Sequence, residues 1–299
     1  MARTIPEKTT NISRRTVLAG AGAAGLTPLL EPSIALAAAP SLVVYLHLDM
    51  KQRALQEMLS SALDGIEVVH EPSPRRCAYL ALEMVRDGSV DLVMNGGAAP
   101  NFLVRAALDP AVGLRAGRTL SDVSVFEIPG LDRLILVSDI LVVATPSLED
   151  KVGIVQNAID VALALGIAAP KVAILSATEM VNPKIPVSMD AANLAKMAQR
   201  GQIRGGIVDG PLALDNAISP ESARIKGIES EVAGRADILI APDAEAGNLL
   251  AKAITYFAGG KMASVIVGGQ CPLVLPSRSD VPEARLASLA LGIYLCCRQ

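Results

Sequence analysis

Aromatic side chains are nearly missing from this chain: 3 Phe, 4 Tyr and no Trp in 299 residues. So few rings build no stacking platform for single-stranded nucleic acid, and no Lys/Arg run supplies a phosphate-tracking stripe. The formal net charge of −3 points the same way. Histidine is scarcer still. His47 and His70 lie in apolar stretches, with no nucleophile motif nearby for Ser/His/Asp catalysis. Cys77, Cys271, Cys296 and Cys297 lack zinc-ligand spacing, and adjacent Cys296-Cys297 is ill placed for an ordinary disulfide. No G-x-G-x-x-G follows the first strand pattern, and no G-x-x-x-x-G-K-[ST] occurs. Gly20-Ala-Gly22-Ala-Ala-Gly25 has dinucleotide spacing but no strand before it. Metal, disulfide, dinucleotide and P-loop chemistry are all unsupported.

What is present is aliphatic. The chain is 51% hydrophobic, with 24 Gly and 19 Pro, which suits buried parallel strands covered by helices. Its length allows one large or two moderate domains. Residues 11–39 form a unit of their own. Ser13-Arg14-Arg15-Thr16-Val17-Leu18 resembles the twin-arginine export motif, with Val17 where Phe is usual. A small-residue apolar stretch follows, and Ala35-Leu36-Ala37 offers a cleavage site before Ala38. That stretch is too short and Gly-rich for a permanent membrane span. The expectation is a periplasmic protein with a signal-like segment over 1–39. Glu31 and Pro32 interrupt the segment, so a cytoplasmic protein with an N-terminal tail is the alternative.

Beyond it, apolar runs alternate with helical periodicity. Strands are predicted at 41–48, 66–70, 90–94, 123–128, 134–143, 171–175, 205–209, 237–241 and 262–267. Helices are predicted at 51–63, 75–87, 101–108, 149–165, 190–200, 219–227 and 246–258. This alternation implies a parallel sheet with right-handed crossovers, whose ligand sites lie at the strands' carboxyl ends. Polar residues collect there: Ser176 and Glu179 after 171–175, Asp209 ending 205–209, and Asp243, Glu245 and Asn248 after 237–241. Such residues also make turns and caps, and both readings stay open.

The most informative stretch is Leu273-Val-Leu-Pro-Ser277-Arg278-Ser-Asp280-Val-Pro282-Glu283. A strand end gives way to a Ser-Arg pair and then a helix start, with Asp280 and Glu283 at capping-box spacing. A guanidinium beside a helix N-terminus suits an anion, phosphate above all. A helix cap with a surface arginine is the other reading.

Four segments resemble the phosphate acetyl/butyryl transferase family, and its butyryltransferase branch most closely. They are Lys171-Val-Ala-Ile-Leu-Ser176-Ala-Thr-Glu179, Asp209-Gly-Pro211-Leu-Ala-Leu-Asp215-Asn216, Ala236 through Asn248, and Ser277-Arg278-Ser-Asp280. The likeness spans residues 66–295. It implies two α/β domains with mainly parallel sheets facing a cleft, similar to the isocitrate/isopropylmalate dehydrogenase architecture. Residues 40–147 plus 277–299 would form the first and 148–276 the second. The implied reaction is acyl-CoA plus phosphate giving acyl phosphate plus CoA, with no metal or bound cofactor, in a self-associating protein. Arg278 would hold phosphate and Ser277 the CoA sulfur or the transferring group. Ser176, Asp209, Asp243, Glu245, Asn248 and Asp280 would contact phosphate or CoA.

Several departures accompany the likeness. The family's opening strand–helix unit is not recognised before Ser41–Leu48. Its Met-Lys-Gly turn reads Met94-Asn95-Gly96, its Ser-His-Val reads Ser121-Asp122-Val123, and the Asn after Thr-Asp is replaced near Val143. The acetyl branch's catalytic Asp falls at Ala284. A non-catalytic small-molecule-binding protein on the same fold is therefore the alternative.

Overall fold

The computed structural model describes residues 42–45, 71, 73–96, 100–112, 114 and 117–298. The leader-like segment, helix 51–63, strand 66–70 and both histidines lie outside them. Nine strands and eight helices are described: β1 (Leu42–Tyr45), α1 (Pro74–Arg86), β2 (Leu92–Asn95), α2 (Pro100–Leu108), β3 (Ser121–Glu127), β4 (Ile135–Ser138) and α3 (Leu148–Ala164). There follow β5 (Lys171–Leu175), α4 (Pro186–Gln199), β6 (Ile207–Leu212), α5 (Leu214–Ile218), α6 (Pro220–Ile225), β7 (Ile238–Ile240), α7 (Ala244–Phe257), β8 (Lys261–Val267), β9 (Leu273–Val274) and α8 (Pro282–Cys296).

Local chemistry explains several boundaries. Ser147 opens α3 with a reciprocal cap: its hydroxyl accepts from Asp150 N–H at 3.1 Å, and Asp150 Oδ2 accepts from Ser147 N–H at 3.0 Å. Replacing Ser147 with Ala is expected to cost about 1 kcal/mol, read as a melting-temperature loss of roughly 3 °C. An unchanged melting temperature would show that the cap contributes nothing. The expected strand 134–143 stops at Ser138 because the Asp139 carboxylate gathers the N–H groups of Leu141, Val142 and Val143 into a turn. The expected strand 205–209 instead runs through Gly210-Pro211 to Leu212, which an edge strand tolerates.

All nine strands join one mixed sheet in the order β1-β2-β9-β8-β3-β4-β7-β5-β6. It is not uniformly parallel. β3 lies antiparallel to both β8 and β4, and β8 is antiparallel to β9. The parallel set β1, β2, β9 therefore runs opposite to the parallel set β4, β7, β5, β6.

Alternation sorts the core. On one face Val123, Val125 and Val265 pack with Ile154 and Ile159 of α3, Leu194 of α4 and Leu291 of α8. The other face carries two separate apolar clusters. One joins α1 and α2 to Leu120, Ile266 and Leu273. The second joins Phe126 and Val137 to Ile254 of α7 and Ala223 of α6. Where these clusters part, the sheet turns polar at Asp122, Ser124 and Ser264, all buried.

Candidate functional site

The Ser-Arg pair follows β9 in a tight turn. Asp280 Oδ2 accepts from Ser277 N–H at 2.7 Å, and Ser277 Oγ lies 3.0 Å from Ser279 Oγ. The expected Asp280–Glu283 capping box does not form. Asp280 is taken up by Ser277, and Val281 occupies the N-cap of α8 in extended backbone without a side-chain bond. Arg278 is exposed, and its guanidinium has no hydrogen bond or ion pair among the described residues. Its carbonyl accepts from Arg285 Nη2 at 3.0 Å, which fixes the main chain and leaves the side chain available. The first turn of α8, with its positive dipole end, stands directly behind it.

A second group of polar residues sits at the start of α7. Asp243 caps the helix, accepting from Ala246 N–H at 2.8 Å. Glu245 is exposed, and Asn248 Nδ2 donates to the Ile140 carbonyl at 3.3 Å. Ala244 N–H reaches the Ala144 carbonyl at 3.3 Å, so this helix start is laid against the loop after β4. Ser176 follows β5, one strand over from β7. Its N–H donates to the Leu212 carbonyl, while its hydroxyl is buried without a partner among the described residues.

Asp209 stands apart. It lies within β6 opposite Ala173, not at the strand's end, because β6 continues to Leu212. One of its oxygens accepts from Gly210 N–H and the other from the Ser230 hydroxyl, which in turn accepts from Val232 and Ala233 N–H. Its local work is to hold the chain before β7.

The expectation that Ser176, Glu179, Asp243, Glu245 and Asn248 collect at one sheet edge holds, since β5 and β7 run parallel. Only Asp209 falls short of it, within β6, and the Ser-Arg pair lies apart from them. β9 delivers Ser277 and Arg278 toward one edge, while β5 and β7 deliver Ser176 and Asp243 toward the other. No hydrogen bond or ion pair joins the 277–280 turn to the α7 start among the described residues.

Between the two groups lies a pair of buried carboxylates, of which the sequence reading marked only Asp122 as a departure. Asp122 is 1% exposed and Asp139 3%. Asp122 Oδ1 accepts from Ser124 Oγ and Oδ2 from Ser264 Oγ, both at 2.8 Å. Asp139 accepts four backbone N–H groups, from Asp122, Leu141, Val142 and Val143, at 2.8–3.2 Å. Burial, reinforced by the Asp139 charge and more weakly by Asp280, pushes the Asp122 carboxyl up to about 7. Burial also raises Asp139, but its N–H donors oppose the shift. The extra proton of the pair therefore belongs on Asp122. A carboxylate inside a strand reads as a half-exposed position, and only the arrival of β8 and the 139–143 turn buries it.

Among the described residues no group of His, Cys, Asp or Glu is arranged to hold a metal ion. No described helix is long and apolar enough to cross a membrane.

The family described as phosphate acetyl/butaryl transferase matches residues 52–292. The chain belongs to that family. A phosphate acetyltransferase from Thermotoga maritima is 49% identical over 219 residues, covering 73% of this chain and 74% of the relative. A phosphate butyryltransferase from Clostridium acetobutylicum is 45% identical over 230 residues, covering 77% and 76%. Among solved structures, a branched-chain phosphotransacylase from Enterococcus faecalis superimposes with a TM-score of 0.72 at 29% identity. It spans 86% of this chain and 99% of its own. Acetyl- and butyryltransferases of the family thus stand at similar distances. Ala284, where the acetyl branch is expected to carry a base, sits in the first turn of α8 and presents only a methyl group.

Proposed function

We propose that this protein moves a short acyl group between CoA and inorganic phosphate by direct transfer in a ternary complex. A phosphate oxygen attacks the thioester carbonyl, the C–S bond breaks, and CoA leaves as the thiol, taking up the proton that the attacking hydrogen phosphate gives up. Arg278 carries this reading: an exposed, unengaged guanidinium on a turn whose main chain is fixed by Asp280 and Arg285. It binds phosphate through its planar fork and neutralises charge as the bond forms. Holding both reactants in place replaces a bimolecular encounter with a near-unimolecular one. Ser277 donates to the departing sulfur. Asp243, Glu245 and Asn248, at the opposite sheet edge from Arg278, are assigned to the far side of the extended CoA. Ser176, whose hydroxyl is buried, and Asp209, committed to Ser230, are given no substrate contact.

This reading includes a cleft between residues 40–147 plus 277–299 and residues 148–276, in an isocitrate dehydrogenase-like arrangement. The parting of the two apolar clusters on one sheet face supports a cleft, although each cluster draws on both ranges: Phe126 and Val137 pack with Ile254, and Ile266 and Leu273 with α1 and α2. The residue likeness favours butyryl-type substrates. Self-association would use the outer side of α7, where Leu249, Tyr256 and Phe257 are 72%, 66% and 91% exposed. A non-catalytic binding role is the second reading, favoured by the buried acid Asp122, which stands where the family carries a histidine and offers phosphate no cation.

The deciding measurement is phosphate-dependent CoA release from acetyl-, propionyl- and butyryl-CoA by the purified protein. Turnover is expected, fastest with the longer chains. No turnover with any of the three, together with no CoA binding, would sink the transferase. We further propose export through Arg14-Arg15. An Arg14→Lys, Arg15→Lys protein is expected to stay out of the periplasm, and unchanged fractionation would refute that.

A further inference from the structure

Asp122 is a buried acid that the transfer reaction does not use. It is connected, through three hydrogen bonds, to the helix that carries the phosphate turn. Its Oδ2 accepts from Ser264 Oγ at 2.8 Å on β8. The Ser264 N–H donates to Ser288 Oγ at 3.0 Å on α8. Ser288 Oγ donates to the Ala284 carbonyl at 2.8 Å, in the first turn of α8. Ser264 lies beyond the short β9, so its N–H has no ladder partner there and Ser288 takes the place of one. Asp280, which holds the Ser277 N–H, is near enough for its charge to act on Asp122.

We propose that Asp122 is a positioning residue for the Ser277–Asp280 turn, acting through Ser264 and Ser288 and switched by its own proton. This rests on the reading of that turn as the phosphate site. The charged groups facing Asp122 are both acidic: Asp139 from the loop after β4, and Asp280 from the turn before α8. Its own strand, β8 and α8 offer only the hydroxyls of Ser124, Ser264 and Ser288. No Lys or Arg forms an ion pair with it among the described residues.

Neutral Asp122 sits quietly beside these anions, although one of its oxygens then donates and the facing serine must accept. Ionised Asp122 accepts from both serines but repels Asp280, which loosens the clasp on Ser277 and adds negative charge near bound phosphate. Because the folded protein holds this proton up to about 7, against 3.8 for an ordinary aspartate, the sign is set. The contribution to stability is full below about 3.8, is lost progressively as pH rises from there to about 7, and is gone above it. The phosphate turn should tighten below neutrality and slacken above it.

Sulfate is the suitable probe, since it stays a dianion where phosphate itself titrates. Calorimetry on the full protein should show the sulfate Kd rising at least about fivefold from pH 6 to pH 8, a modest part of the roughly tenfold that each pH unit of linkage allows. In Asp122→Asn, which keeps size and hydrogen bonding but cannot ionise, the change should fall below about twofold. Ser264→Ala should keep the acid-side gain in melting temperature yet lose the pH dependence of sulfate binding. Arg278→Ala should abolish sulfate binding and so confirm where the probe sits. Hydrogen exchange over residues 276–288, corrected for intrinsic rates, should show protection falling from pH 6 to pH 8 in the parent and staying level in Asp122→Asn.

An Asp122→Asn protein with the parent's pH dependence would overturn the assignment, as would a parent without any. A Ser264→Ala protein that still couples would overturn the route. A protein with the expected sulfate behaviour but no acyl transfer would refute the transferase and leave the Asp122 assignment standing. Turnover with pH-independent sulfate binding would do the reverse.

Discussion

Arg278→Ala should lower kcat/KM for phosphate-dependent CoA release by about a thousandfold, the upper end of what losing one preorganised charge-stabilising group costs. Two features make the loss specific. The guanidinium has no partner among the described residues, so nothing in the fold is released when it goes. The turn that presents it is held by main-chain bonds, from Ser277 N–H to Asp280 and from Arg285 to the Arg278 carbonyl, which survive the substitution. The melting temperature should therefore stay within about 1 °C, as for a surface substitution away from any structural contact. Arg278→Lys should recover part of the rate through charge alone, because an ammonium cannot reproduce the two-pronged contact. Retention of more than about a tenth of the parent kcat/KM in the alanine variant would remove Arg278 from the chemistry.

Gly247→Ala should do the opposite and strike the fold first. A Cβ at this position would stand 2.2 Å from the Asp139 carbonyl oxygen and 3.2 Å from the Ala241 Cβ. The nearer neighbour is backbone, which cannot swing aside, so α7 must withdraw from the loop after β4. Overpacking of this kind costs about 3 kcal/mol, and a chain of this size should lose roughly 10 °C of melting temperature. The withdrawal also pulls Asn248 from the Ile140 carbonyl and Ala244 from Ala144, so KM for CoA should rise in the protein that remains folded. A variant with the parent's melting temperature would show that the close approach is relieved at no cost.

The sequence announced most of the repeating elements, since helix and strand periodicities act over a few residues. β5 appears over Lys171–Leu175 as read, and α3 and α7 differ from their predicted spans by one or two residues at each end. The Ser-Arg turn was legible too, because strand end, arginine and helix start are adjacent in the chain. What was not legible depends on distant partners. Asp280 has capping-box spacing with Glu283, yet it bonds Ser277, and only the turn's three-dimensional closure decides between the two. Nothing within β3 says that it will lie antiparallel between β8 and β4, so the reversal of strand direction was hidden. With it were hidden the opposite edges for Ser277 and Asp243 and the burial of Asp122. Asp209 looked like a strand-end residue because Gly210-Pro211 resembles a stop, and the edge of the sheet absorbs that pair.

The placement of β9 has a consequence for the order in which the chain can be completed. β2 pairs with β1 on one side and β9 on the other, and Val93 meets Leu273 across most of the described sequence. During synthesis, the strands near the N-terminus wait beside an open edge until the last strand and α8 emerge from the ribosome. Closing that gap late favours slow, high-contact-order folding and leaves the apolar faces of α1 and α2 uncovered in the meantime. A chain truncated before Leu273 is therefore expected to collapse around β3 to β8 while β1 and β2 stay unattached, open to proteolysis and to pairing with another copy.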